Sequence, residues 1–182
     1  MASENVELIR RGYEAWNRGE LEAILERLDP QVEWHGHPRL PEPGPIFGRE
    51  QVRSWFEALR EPWESVSIVP IAFAESDDMV IALVQISGRG KGSGVTVESG
   101  IDAQLWTLRE GSVVRMRWLQ GDEGARRANL SRQETELLRM RLALKRPDSE
   151  IAERIGLAEE DVEAAAEQAL AKLPLLAEDE RR

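Results

Sequence analysis

The sequence predicts an α+β fold with helices packed on one face of a curved sheet, followed by a small helical module. Three observations carry this. Up to about residue 60, apolar residues recur at helical spacing, interrupted by one short strand. From Ser65 the period becomes that of sheet, and the short connections make neighbouring strands antiparallel. Beyond about residue 122 no aromatic residue occurs and helix formers dominate.

Each element has a local reason. Ser3 is placed to cap a first helix, with Glu4 and Glu7 at the positive end of its dipole. Val6, Ile9, Tyr13 and Trp16 form its apolar stripe, and Gly19 ends it. A second helix over 20–28 buries Leu21, Ile24, Leu25 and Leu28 and stops at Asp29-Pro30. Residues 31–35 read as a strand, and the proline- and glycine-rich 36–48 as an irregular loop. A third helix over 49–60 turns Val52, Trp55, Phe56 and Leu59 inward. Strands are expected near 65–75, 79–88, 95–108 and 112–120. Turns at 76–78 and 109–111 and a flexible hairpin loop at 88–94 connect them. That loop (GRGKGSG) is not a phosphate-binding loop, because no helix begins after it. Helices near 131–144, 149–155 and 159–173 complete the chain, and Ser131 with Glu134 forms a capping-box pattern.

Composition narrows the function. The chain has 182 residues, no cysteine and a formal net charge of −10. The absence of cysteine excludes a disulfide framework, cysteine-ligated zinc and thiol catalysis. The negative charge works against non-specific nucleic-acid binding. No apolar run approaches a membrane span, and the N-terminus lacks a signal peptide's apolar stretch, so a cytoplasmic protein is expected.

Residues 1–128 read as one domain and 129–182 as another. The strings YEAWNRGELEAI (13–24), LDPQVEWHG (28–36), PIFGREQVRSWF (45–56) and LWTLREGSVVRMRWL (105–119) give the first domain its family resemblance. It resembles the SnoaL-like and ketosteroid-isomerase-like members of the nuclear transport factor 2-like superfamily. The resemblance implies a cone in which a curved antiparallel sheet wraps three helices around an apolar pocket. Trp16, Trp34, Trp55, Trp106 and Trp118 lie at inward phases of different elements. With Tyr13, Phe56 and Met116 they are the expected lining for a small hydrophobic ligand, polyketide- or steroid-like.

The resemblance also places the chemistry. The isomerases' catalytic aspartate falls at Trp34 or His35, and their second acid near Gln104, with Asp102 two residues before it. His35 is therefore the expected base, with Asp102 or Gln104 as its partner; histidine titrates near neutrality. On the strand expected at 95–108, Glu98, Gly100, Asp102, Gln104 and Trp106 share one phase. The isomerases' oxyanion tyrosine falls at Gly12, and Tyr13, one step round the helix, does not replace it. Glu33, His35 and His37 alternate on one strand face, but Gly36 and Pro38 end the strand there. No metal and no cofactor are expected. Arg115 and Arg117 point to the outer sheet face, where the resemblance implies a homodimer contact.

The second domain resembles the helix-turn-helix of LuxR-type regulators and sigma-factor DNA-binding segments. The resemblance rests on EIAERIGL (150–157) and the following helix that carries Val162. That helix holds Glu159, Glu160, Asp161, Glu163 and Glu167, which would face phosphate with like charge, so DNA binding is not expected. Three readings follow: a ligand-binding or weakly catalytic protein, a ligand-sensing transcription-related regulator, and a partner-binding protein without an open pocket.

Overall fold

The computed structural model describes residues 3–37, 44–119 and 130–172. Helix α1 (Glu4–Arg18) starts where Ser3 Oγ accepts a hydrogen bond from the Val6 N–H, and buries Val6, Ile9, Tyr13 and Trp16. Gly19 closes it in the left-handed region (φ 78°), a conformation that favours glycine. There follow α2 (Leu21–Leu25), β1 (Leu28–His35), β2 (Pro45–Phe47) and α3 (Arg49–Arg60). Four long strands come next: β3 (Trp63–Ser76), β4 (Met79–Gly90), β5 (Thr96–Arg109) and β6 (Ser112–Leu119).

The six strands form one sheet in the order β2-β1-β6-β5-β4-β3. The long strands pair antiparallel, as their turns require, but β1 and β6 pair parallel. The sheet is therefore mixed rather than wholly antiparallel. β2 is a further difference: Pro45–Phe47 lies within the expected irregular loop and pairs with Glu33–His35 of β1. The second helix is shorter than expected because β1 already begins at Leu28, opposite Val113.

Alternation sorts the strands into two faces. The inner face carries Val80, Ala82, Val84, Trp106, Met116 and Trp118 and packs on α1 and α3. Between Gln85/Ile101 and Ser87/Glu98 the register shifts by one residue. That bulge puts Glu98 opposite Ser87 on the outer side, whereas Asp102 and Gln104 stay opposite Val84 and Ala82 on the inner side. The expected common phase of Glu98 and Asp102 is therefore lost. The free edge of β3 has its own bulge between Pro70 and Ala72. Near it, Asn17 of α1 accepts from the Ile68 N–H and donates to the Ile68 carbonyl, both at 2.9 Å.

The outer face is covered by the chain itself. Met79, Ile81, Leu83, Ile101, Ala103 and Leu105 share an apolar cluster with residues of the C-terminal helices. These are α4 (Arg132–Leu138), continued by a π-wound turn (Arg139–Ala143), then α5 (Asp148–Ile155) and α6 (Val162–Leu170). A short 3₁₀ turn (Glu159–Asp161) leads into α6. The capping box at Ser131 and Glu134 is formed, with bonds of 2.7 and 3.1 Å. Leu138, Ile151 and Val162 are at most 1 % exposed beneath these helices. The sheet face expected to receive a second copy is thus occupied over β3–β5 by this chain's own helices, which bury its apolar side chains. Among the described residues no helix is long and apolar enough to cross a membrane.

Candidate functional site

Five elements bring large aromatic side chains into the inner space: Tyr13 and Trp16 from α1, Trp34 from β1, Trp55 and Phe56 from α3, Trp106 from β5 and Trp118 from β6. Trp34 is central. Its ring meets Trp106 and Phe56 edge-on at 5.6 and 5.1 Å and Trp55 at 6.2 Å. Together they line a cavity of about 50 Å³. That volume holds water-sized molecules, far below the roughly 300 Å³ at which drug-sized pockets begin. A steroid- or polyketide-sized ligand does not fit the cavity as it stands, because the indoles themselves take up most of the space. Met116 is fully buried in the same cluster but does not contribute to the cavity wall.

One polar chain crosses the wall. Trp106 Nε1 donates to the Tyr13 hydroxyl at 3.0 Å, and that hydroxyl donates to Gln104 Oε1 at 2.6 Å. Burial pushes the Tyr13 pKa well above its ordinary value, so the phenol stays protonated. Tyr13 therefore meets Gln104 across the inner space. The apolar stripe it shares with Val6, Ile9 and Trp16 turns it inward. The Nε1 atoms of Trp16, Trp34 and Trp118 and Nε of Arg27 are buried with no hydrogen-bond partner among the described residues.

The expected catalytic set does not assemble. His35 follows the inward Trp34 and so faces the other way, its Nε2 lying 2.5 Å from Glu33 Oε1. Glu33 also meets Arg115 of β6 at 3.3 Å, so this network belongs to the outer face. Asp102 and Gln104 keep the inner phase, separated from His35 by the sheet. The histidine that meets Asp102 is His37, with Nε2 3.8 Å from Oδ2. The chain leaves strand geometry after His35, so His37 no longer shares a face with His35 and Glu33. The His37 ring stands edge-on to Trp118 at 5.1 Å, and Trp118 lines the cavity while His37 and Asp102 do not. Among the described residues no three His, Asp or Glu side chains are grouped to hold a metal ion.

A family model described as a SnoaL-like domain matches residues 9–116, more than half of the chain. The chain belongs to the SnoaL-like family. Solved structures agree on the fold of this SnoaL-like chain. TerC, crystallised with polyporic acid, is 23 % identical, with 65 % of this chain and 92 % of that one covered and a TM-score of 0.58. Bal32a, from a soil-derived mobile gene cassette, is 25 % identical over 63 % and 87 % of the two chains, with a TM-score of 0.57. RV0760c from Mycobacterium tuberculosis, solved with estradiol-17beta-hemisuccinate, is 15 % identical over 64 % and 93 %, with a TM-score of 0.56. No curated protein matches the sequence.

Arg27 and Gly12 also line the cavity of this SnoaL-like protein and are not among the lining residues expected from the sequence. A signal for Arg27 was available: it is a charged residue between Leu25 and Leu28, at the junction of α2 and β1. The sequence expectation for His37 extends only to its alternation with Glu33 and His35.

Proposed function

We propose that this SnoaL-like chain binds a small, mostly apolar molecule of about single-ring size in the indole-lined cavity, which widens from its present volume to admit it. The observation that carries the reading is the convergence of aromatic side chains from five elements on one apolar cavity, lined by Tyr13, Trp16, Trp34, Trp55, Trp106 and Trp118. Entry requires the half-buried rim, where Leu8, Trp55 and Leu59 stand, to give way. The ligands bound by TerC and RV0760c support a binding role for the fold.

The reading is binding rather than turnover. His35 lies on the other side of the sheet, and His37 and Asp102, which meet each other at 3.8 Å, do not line the cavity. Proton transfer to a molecule inside therefore has no direct route. Titrating tryptophan emission with toluene, cyclohexanone and benzoate tests the proposal. Saturable changes are expected in the native chain, unaltered in His35→Ala and lost in Gly12→Leu. A Cβ at Gly12 meets nothing within 4 Å, so leucine there has room to enter the cavity. Flat titrations with all three probes, or full binding in Gly12→Leu, would overturn it.

A further inference from the structure

The cavity wall is closed to polar contact. Besides the indoles, its polar members among the described residues are Tyr13, Arg27 and Gln104. The Tyr13 hydroxyl donates to Gln104 Oε1 at 2.6 Å and accepts from Trp106 Nε1 at 3.0 Å, so all three groups are engaged with one another. Nε1 of Trp16, Trp34 and Trp118 and Nε of Arg27 have essentially no accessible surface, and a molecule in the cavity cannot touch them. Arg27 is half-buried, and a cationic side chain so placed lays its methylene stem on apolar surface with its head toward water. The surface left to a ligand is almost wholly carbon, from the aromatic rings and from aliphatic residues such as Ile9, Leu28, Ile68 and Val113.

Building on the binding reading above, we infer that the ligand is a hydrocarbon ring without a polar substituent. The Tyr13 hydroxyl sets this selectivity, because it occupies Gln104 Oε1 and Trp106 Nε1, the acceptor and donor that a ligand hydroxyl would otherwise meet. A hydroxyl or amino group carried into such a space gives up its hydrogen bonds to water and finds none inside. A hydrocarbon gives up no such bonds, and a cavity walled by carbon stays dry until an apolar guest enters. An apolar pocket of this kind discriminates against an isostere bearing a hydroxyl by up to about a hundredfold.

The test compares three probes of one shape on the full chain at neutral pH by calorimetry: toluene, phenol and aniline. Toluene is expected to bind about tenfold or more tighter than either of the others; tenfold corresponds to about 1.4 kcal/mol. Tyr13→Phe is expected to keep toluene binding and to cut its advantage over phenol about fivefold or more, as the phenol hydroxyl takes the place between Gln104 and Trp106. Trp106→Phe opens the other side of the same hydroxyl, is expected to shift the ratio in the same direction, and serves if Tyr13→Phe does not fold. Phenol or aniline binding as tightly as toluene overturns the hydrocarbon assignment and leaves the binding reading standing. A toluene-to-phenol ratio unchanged in the variants overturns the role given to the Tyr13 hydroxyl. Failure of all three probes to bind the native chain overturns the assignment and the binding reading together.

Discussion

Tyr13 organises the polar interior, because its hydroxyl is the link between Trp106 and Gln104. Replacing it by phenylalanine leaves two buried groups without a partner, and a loss of about 1–3 kcal/mol is expected in urea unfolding. The pH dependence has a definite sign. Burial raises the phenol pKa in the folded chain, so above the ordinary value near 10 the unfolded state releases a proton that the folded state keeps. Tyr13 therefore contributes its full share below about pH 10, and stability falls by about 1.4 kcal/mol per pH unit above it. Tyr13→Phe is expected to lack that component. Tyr13 is the only tyrosine, so tyrosinate absorbance reports on it alone and is expected to rise only with unfolding. A rise while the chain is still folded would refute the assignment. The inward position of Tyr13 was legible in the Val6-Ile9-Tyr13-Trp16 stripe. The partner of its hydroxyl was not, because it comes from a strand 91 positions away.

The end of β1 shows how a strand decides which histidine faces where. Strict alternation places Trp34 inside and His35 outside, and a one-residue ambiguity in family register was enough to exchange them. Gly36 then lies against Trp55: a Cβ there would stand 2.8 Å from the Trp55 ring. Gly36→Ala is expected to push Trp55 off the cavity rim, cost about 1–3 kcal/mol as overpacking does, and change tryptophan emission. Unchanged emission and unfolding midpoint would show that the contact is not maintained. The apolar periodicities of α1, α3 and the long strands were readable from residue types. The β5 bulge that sends Glu98 to the outer side, and the short β2, were not. Both depend on pairing partners far along the chain, which override local pattern.

The two segments expected to be separate domains meet in one apolar cluster, with Leu83 and Leu105 of the sheet against Leu138, Ile151 and Val162 of the helices. The helical periodicity of the last segment was plain in the sequence. Its docking surface was not, since the apolar Met79, Ile81 and Leu83 do not say which segment covers them. Such a shared core predicts one cooperative transition. All six tryptophans lie before residue 120, so emission reports the first segment while far-ultraviolet dichroism reports both. Coincident urea curves by the two methods are expected, and separated midpoints would contradict the shared core. At the opposite margin of the sheet, β3 would offer an open ladder of amides to any passing chain. The Asn17 side chain already occupies both backbone groups of Ile68, and Pro70, two residues on, has no N–H to give. An incoming strand therefore finds its first rungs taken, which guards concentrated solutions against edge-to-edge fibril growth.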